Sequence, residues 1–178
     1  MSFDMDIAES NSIKGVWIVR PSISRDSRGS IWTTFQKDEI EALLPAGLAF
    51  KHDKFSVSGR NVLRGIHGDE KSWKLVTCVH GDILQVVVDC REESPTFRKY
   101  LKFRINADNM MLVLIPPRMG NAYYVFGDEA VYHYKLAYAG DYIDADRQFS
   151  IKWDDPSIGI DWPVKNPVLS DRDRLAKS

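Results

Sequence analysis

The chain has 178 residues, of which 44% are hydrophobic and 28% charged, and its formal net charge is −1. This length suits one domain with a substantial core, and the composition is typical of a globular protein rather than a disordered or membrane-spanning one. Because the charge is close to zero, there is no overall attraction to nucleic acid or to an anionic bilayer, and we expect neither as a partner.

The first residues predict a chain without a secretory signal. Residues 1–11 are polar and acidic, with no basic region followed by an apolar one, and no apolar run reaches the length of a transmembrane helix. Cys78 and Cys90 both fall in strand-like runs, and we expect buried free thiols rather than a disulfide. These features predict a cytoplasmic protein.

Short runs rich in β-branched and aromatic residues follow one another along the chain and predict strands. Turn residues separate them, and Gly81-Asp82 is typical of a hairpin turn. The predicted strands are residues 16–19, 31–35, 50–57, 74–79, 83–88, 100–105, 111–115, 122–126 and 130–136. One helix is predicted at residues 38–44, which end at Pro45.

Many strands with a single short helix predict an all-β antiparallel sandwich or barrel. No repeat or linker divides the sequence, so residues 1–178 are predicted to form one domain. Three prolines punctuate residues 154–178, which predicts an extended segment that wraps on the barrel. Within it Ile158, Ile160 and Trp162 alternate as in an edge strand.

The histidines are the first candidates for chemistry. His67 stands three residues after Arg64, across a glycine, and Asp69 and Lys74 follow. These residue types allow either a buried core histidine or a catalytic base beside a cation. His52 suits a polar rim residue as well as a substrate contact, and His133 is predicted to point away from Tyr134 because neighbours in a strand face opposite sides.

The sequence predicts no metal site. After His67 come Gly68, Asp69 and Glu70, so a second nearby histidine is missing, and a later candidate position holds Asn121. Too few ligands converge for a divalent transition metal. Glycine-rich phosphate loops and nucleophile elbows are also absent from the sequence.

Taken together, the motifs resemble those of the dTDP-4-dehydrorhamnose 3,5-epimerase family. The resemblance covers some 150 residues and rests on an ordered set of segments: DSRG at 26–29, NVLRGIH at 61–67, KLV at 74–76, VDCR at 88–91, SPTF at 94–97, WDDP at 153–156, GIDWP at 159–163 and LSDRD at 169–173. It implies a cupin fold, a double-stranded β-helix or jelly-roll barrel with few short helices, and a homodimer formed by strand exchange.

The resemblance also implies a set of catalytic residues. His67 resembles the base that removes the proton next to the ketone, and Asp173 resembles the partner that orients it. Lys74 resembles the cation that stabilises the enolate oxygen, and Tyr134 the acid that returns a proton from the opposite face. Such chemistry needs a base, an acid and a positive charge for the developing oxyanion, and it needs no cofactor.

The implied substrate contacts depart from the family in part. Arg64 resembles a contact to the sugar or diphosphate, and Arg28 a contact to the partner subunit's nucleotide. Asn121 replaces a substrate-contacting histidine, and His52 and Lys54 replace a glutamine and an asparagine.

Ser24 replaces an aromatic residue that packs on the nucleobase in the dTDP enzymes. These departures point away from thymidine. They suggest a divergent branch acting on a GDP-linked 4-keto-6-deoxyheptose in bacterial capsule synthesis.

Several functions fit these residues. The first is an epimerase that inverts carbon 3, carbon 5 or both in a nucleotide-diphosphate 4-keto-6-deoxy sugar, either hexose or heptose, for bacterial surface polysaccharide. A mono-epimerase or a ketoisomerase could use the same scaffold. A non-catalytic sugar-nucleotide-binding cupin is a further alternative, but it has no need of His67, Lys74, Tyr134 and Asp173 together. A metal-dependent oxygenase is the last alternative, after the epimerases and the binding cupin, because the histidines it needs are missing.

Overall fold

The computed structural model describes residues 4–178; residues 1–3, which begin the polar stretch considered above, lie outside the described residues. Two antiparallel sheets form the barrel. In the first, the strand order is β1 (Met5–Glu9), β2 (Trp17–Pro21), β10 (Leu112–Ile115), β7 (Trp73–His80), β12 (Glu129–Ala137) and β5 (Phe50–Gly59). In the second, it is β13 (Phe149–Ser150), β6 (Leu63–Gly68), β11 (Met119–Val125), β8 (Asp82–Asp89) and β9 (Tyr100–Asn106).

The remaining elements are short. Strands β3 (Ile23–Asp26) and β4 (Gly29–Trp32) form a separate hairpin. The helices are α1 (Lys37–Glu41), α2 (Asp171–Arg174) and a 3-10 turn at Ala145–Arg147. The all-β jelly-roll prediction with few short helices is therefore confirmed.

The core lies between the two sheets, where alternate residues of each strand point inward. Val76 of β7, Val87 of β8 and Tyr132 of β12 are all fully buried there. Farther along the same strands the inward positions become polar, with Lys74 on β7 and Tyr134 on β12. The barrel is thus filled by apolar side chains at one end and lined by polar ones at the other.

Separate segments cover the outer faces of the sheets. Helix α1 places Ile40 against Leu75 and Leu114 on the six-stranded sheet. On the five-stranded sheet, Ile158 packs against Val86. Each sheet is therefore apolar on both faces, and this explains why its strands have continuous apolar runs rather than clean alternation.

The C-terminal segment contacts the barrel as an irregular chain. Ile158, Ile160 and Trp162 belong to the apolar cluster on the five-stranded sheet, but the edge strand predicted for them is wrong, because residues 156–158 form a turn and residues 159–162 have no regular secondary structure. The carboxylate of Asp155 accepts hydrogen bonds from the backbone and hydroxyl groups of Ser157, and this local bonding favours a turn over a strand. Helix α2 in the same segment was not predicted.

Other boundaries also differ from the predictions. The strand predicted at residues 31–35 ends at Trp32, because Phe35 leaves the hairpin and packs edge-on against Phe50, with ring centroids 5.4 Å apart. The predicted helix at 38–44 is shorter, at 37–41. Strands β1, β3, β6 and β13 were not predicted, and all are short or rich in polar residues and glycine.

Within residues 4–178, no helix combines the length and the apolar character needed to cross a bilayer. The two cysteines of the chain are free thiols, Cys78 buried and Cys90 half-buried. Burial raises the pKa of each thiol to about 11, so both stay protonated at neutral pH.

One buried carboxylate ties the end of β8 to the following loop. Asp89 is fully buried and accepts hydrogen bonds from Arg91, from the Ser94 hydroxyl at 2.7 Å and from the Thr96 hydroxyl at 2.6 Å. Burial raises the pKa of Asp89, but these donors outweigh it and hold that pKa far below the ordinary aspartate value. The ionised form is therefore the one that stabilises the fold.

We expect Asp89→Asn to lower the free energy of unfolding by about 3 kcal/mol at pH 7, because an amide cannot accept from all of these donors. Urea unfolding measures the loss, and the exposed Asp26→Asn serves as a control that should change stability little. The difference should be full above the ordinary aspartate pKa of about 3.9 and shrink below it, since a depressed pKa contributes stability only while the group is ionised. An equal difference at pH 3 and pH 7 would contradict this account.

Candidate active site

A cavity of about 430 Å³ opens at the polar end of the barrel. Strands β5, β6, β7, β11 and β12 supply most of its wall, and residues near the 3-10 turn and helix α2 close one side. The predicted site residues that line it are Lys54, Arg64, His67, Lys74, Asn121, Tyr134 and Asp173. Side chains that are far apart in sequence therefore meet in one place.

His67 and Asp173, the predicted base and its predicted partner, are in direct contact. His67 Nε2 is hydrogen-bonded to Asp173 Oδ1, while Asp173 Oδ2 accepts from the backbone N–H of Gly65 at 3.4 Å. Asp173 is buried, and Ser170 caps its helix by accepting from the Asp173 N–H at 3.2 Å. Burial raises the pKa of Asp173, but the hydrogen bonds that the carboxylate accepts from His67, Ser170 and the Gly65 N–H together outweigh burial and lower that pKa. The carboxylate is thus held ionised against the imidazole.

Gly65 lets β6 approach β11 closely enough to bring His67 into the cavity. Its φ is +119°, and a Cβ at this position would lie 2.6 Å from the carbonyl oxygen of Asn121. Only glycine fits there without displacing β11. The close approach of β6 to β11 therefore explains why a glycine stands between Arg64 and His67, which the sequence pattern alone does not explain.

Lys74 is buried in the cavity wall beside a buried carboxylate. Its Nζ lies 3.2 Å from Asp69 Oδ2, and both side chains are less than a tenth exposed. Burial lowers the pKa of Lys74, and the charge of Asp69 opposes that effect. Asp69 in turn is held by the backbone N–H groups of Lys71 and Ser72. The pair places a desolvated cation in the cavity.

Tyr134 lies among hydroxyl groups and one guanidinium. Arg64 donates to Ser58 at 2.8 Å, and Ser58 and Ser56 both contact the Tyr123 hydroxyl, at 2.9 and 2.8 Å. Burial raises the pKa of the Tyr134 phenol, and the charge of Arg64 offsets only part of the rise. The phenol therefore keeps its proton at neutral pH and can act as a donor.

Two of the predicted contacts lie elsewhere. His52 is outside the cavity lining, and its ring packs edge-on against Tyr142, with centroids 4.7 Å apart. Arg28 lies in the β3–β4 hairpin, its side chain is 86% exposed, and it pairs with Asp26. The structure thus leaves both His52 and Arg28 outside the cavity lining of their own chain.

Several lining residues were missed by the sequence analysis. Tyr142 and Gln148 come from a connecting segment with no strand pattern, and Arg172 is held by Ser150 at 2.8 Å. Tyr142 accepts a hydrogen bond from Lys54 at 3.0 Å. The only available signal was the closeness of Arg172 to Asp173 in the chain.

Across residues 4–178, no group of three or more His, Cys, Asp or Glu side chains is arranged to hold a metal ion. His133 instead bonds Asp53 at 2.7 Å on the outward face of β12, where Asp53 also pairs with Lys135.

Comparison with known proteins gives consistent matches. The sequence profile of the dTDP-4-dehydrorhamnose 3,5-epimerase family matches residues 10–178. The enzyme of that name from Shigella flexneri is 35% identical over 164 residues, covering 90% of this chain and 89% of its own. The RmlC epimerase of Legionella pneumophila, solved with dTDP-4-keto-L-rhamnose, superposes with a TM-score of 0.87 at 34% identity, over 98% of this chain and 92% of its own.

A relative with a narrower activity is equally similar. ChmJ, a 3'-monoepimerase from Streptomyces bikiniensis solved with dTDP-quinovose, has a TM-score of 0.86 and 32% identity, over 96% of this chain and 87% of its own.

The Asp69–Lys74 pair gives a prediction that needs no substrate. We expect Asp69→Asn to lower the pKa of Lys74 further, because the carboxylate that favours the ammonium form is removed while burial is unchanged. The titration of ¹³C-labelled lysine side chains by NMR measures this. Asp53→Asn is the matched control, since it removes the carboxylate partner of Lys135 and should leave Lys74 unaltered. An unchanged Lys74 titration in Asp69→Asn would refute the pairing.

Proposed function

The chain belongs to the dTDP-4-dehydrorhamnose 3,5-epimerase family of isomerases, and from this we propose that it epimerises a nucleotide-diphosphate 4-keto-6-deoxy sugar through an enolate. The observation that carries the proposal is the meeting of the His67–Asp173 dyad with Lys74 and Tyr134 in one cavity. A binding module has no use for this combination.

In the proposed reaction His67 removes the proton from a carbon next to the ketone. The electron pair of the broken C–H bond moves into the carbonyl, so negative charge grows on the ketone oxygen. Lys74 supplies positive charge in a desolvated site, where it acts more strongly on the transition state than it would in water. Asp173 holds the imidazole in place and stabilises the imidazolium.

Tyr134 then returns a proton to the opposite face of the carbon, and configuration is inverted. Its raised pKa suits an acid, because the phenol holds its proton until the enolate is present. The tyrosinate that remains lies near Arg64 and is reprotonated when His67 releases its proton by way of solvent. Substrate and product have the same atoms, so neither an oxidant nor a cofactor takes part.

The two candidate activities, double inversion and mono-epimerisation, differ in the number of carbons that are inverted. Double inversion is supported by the family and by the presence of both a base and an acid. Mono-epimerisation at carbon 3 is supported by the equal likeness to ChmJ. The ketone acidifies carbons 3 and 5 alike, so the outcome depends on whether the sugar ring can present both to His67.

For the nucleotide we propose GDP rather than dTDP, and a heptose destined for capsular polysaccharide. Support comes from Ser24, which lacks the aromatic ring expected for packing on thymine, and from Lys54, which stands where the family has an asparagine. Lys54 bonds Tyr142 and lies at the cavity, where its charge suits a diphosphate. The solved relatives from Legionella pneumophila and Streptomyces bikiniensis contain dTDP sugars, and this proposal departs from them.

We also propose a homodimer in which Arg28 reaches the partner's nucleotide. Arg28 is exposed and does not line the cavity of its own chain. Ile31 on the same hairpin and Phe55 and Val57 on the edge strand β5 are each more than half exposed, which is unusual for large apolar groups. A second copy covering this edge would bury them.

The dimer predicts a particle of twice the 20.4 kDa chain mass in light scattering. It also predicts that Arg28→Ala raises KM about tenfold, through a lost contact to a phosphate, while leaving the secondary structure and the particle mass unchanged. Arg20→Ala, at another exposed ion pair, is the control. A monomer with full activity would rule the arrangement out.

The reaction itself is tested by deuterium incorporation. The enzyme is incubated in heavy water with GDP- and dTDP-linked 4-keto-6-deoxy hexose and heptose, and NMR locates the label. We expect label at carbons 3 and 5 with the GDP-linked heptose turned over fastest; label at carbon 3 alone would identify a mono-epimerase. Folded protein that labels none of the four sugars would contradict the proposed function.

Point variants assign the roles in the same assay. His67→Asn should slow label uptake at both carbons by about 10³-fold, the usual contribution of a general base. Tyr134→Phe should retain more proton removal than net inversion. His80→Asn, an exposed histidine at the end of β7, is the control and should retain full activity. If His67→Asn kept wild-type rates, another residue would be the base.

A further inference from the structure

Beneath the cavity lies a buried amide pair that the mechanism above does not use. Gln85 and Tyr132 are fully buried and Asn121 is 7% exposed. Gln85 Nε2 lies 2.6 Å from Asn121 Oδ1 and 2.9 Å from the carbonyl oxygen of Val86, while the Tyr132 hydroxyl lies 2.6 Å from Gln85 Oε1. These groups form one connected network.

Only one orientation of the two side-chain amides satisfies this network, and the backbone carbonyl of Val86 determines it. A carbonyl oxygen can only accept a hydrogen bond, so the Gln85 atom facing Val86 must be the NH₂ group. The same NH₂ group faces Asn121, and the Asn121 atom that meets it must therefore be the oxygen. The other end of the Asn121 amide, its NH₂ group, is then turned away from Gln85.

Tyr132 supports this assignment. Its hydroxyl donates to Gln85 Oε1 and lies 3.3 Å from Asn121 Oδ1. With Gln85 Oε1 and Asn121 Oδ1 both accepting, reversal of either amide would set two acceptors or two donors against each other among buried side chains. Such a mismatch leaves buried polar groups without a partner, and this cost keeps the network in one state.

Asn121 lines the cavity and pairs with His67 across the β6–β11 ladder. We propose that Gln85 is a positioning residue that holds the Asn121 NH₂ group toward the cavity, where it donates a hydrogen bond to an oxygen of the sugar beside the base. The donor is neutral at every pH at which the fold exists, unlike a histidine at the same position. This inference rests on the proposed function for its ligand, but not for the amide orientation.

The orientation is tested without substrate. In protein labelled with ¹⁵N at asparagine and glutamine, NMR hydrogen exchange should find the Gln85 NH₂ protons strongly protected and those of Asn121 exchanging readily through the cavity. The signals are assigned by their loss in Gln85→Met and Asn121→His. Equal protection of both amides would overturn the proposed orientation, whether or not a sugar is turned over.

The role in the reaction is tested with two substitutions of similar size. Gln85→Glu, when ionised, presents acceptors to Asn121, so the Asn121 amide should reverse and turn its oxygen to the sugar. We expect kcat/KM to fall about 10- to 100-fold. Gln85→Met imposes no reversal and should lose less. If Gln85 only fills space, the methionine variant loses at least as much, which would refute a positioning role.

Rescue provides a readout that packing alone cannot give. In the double variant Gln85→Glu/Asn121→His, the introduced carboxylate stabilises an imidazolium that donates from both nitrogens. Activity should recover relative to Gln85→Glu, and the recovered part should be lost as pH rises through the raised imidazolium pKa. No recovery at any pH would count against the proposal. If the native enzyme labels no sugar, the proposed function fails, and the exchange experiment still decides the orientation.

Discussion

The contact between His67 and Asp173 joins two residues that are 106 positions apart, and the architecture of the site depends on it. His67 lies on β6, within the five-stranded sheet, whereas Asp173 lies on a four-residue helix in an otherwise irregular segment. That helix is too short to be stable alone, so its position comes from contacts with the barrel. The dyad is therefore a product of tertiary docking, and the apolar contacts of Ile158 and its neighbours on the outer sheet hold the same segment.

One rule of strand geometry explains both the core and the cavity. Inward positions alternate along each strand, so β7 contributes Val76 to the core and Lys74 to the cavity from the same face. Along that face the side chains change from apolar to polar, and at this change the packed core ends and the cavity begins. Polar groups there survive burial because they are paired: Lys74 with Asp69, and Asn121 with Gln85.

The sequence predicted the strands that carry continuous β-branched runs, because those runs reflect burial between two covered faces. It failed for β6, where two glycines mask the pattern and pairing with β11 decides the conformation. Phe35 shows a second kind of failure, in which a distant ring, Phe50, overrides local preference. The seven predicted residues that line the cavity were found through family resemblance, whereas Tyr142, Gln148 and Arg172 were missed. The sequence could not predict the contact between Gln85 and Asn121, because these residues are 36 positions apart and meet only across the neighbouring strands β8 and β11.

Because 106 positions of sequence separate His67 from Asp173, the two residues are synthesised at different times. As the chain is translated, His67 emerges with β6, and strands β7 to β13 follow before Asp173 is made. Nearly the whole barrel can assemble around an imidazole that still lacks its carboxylate. In the mechanism proposed above, His67 therefore gains the carboxylate that orients it only after the segment carrying Asp173 has docked on the barrel. Catalytic competence in this fold reports that the barrel is complete.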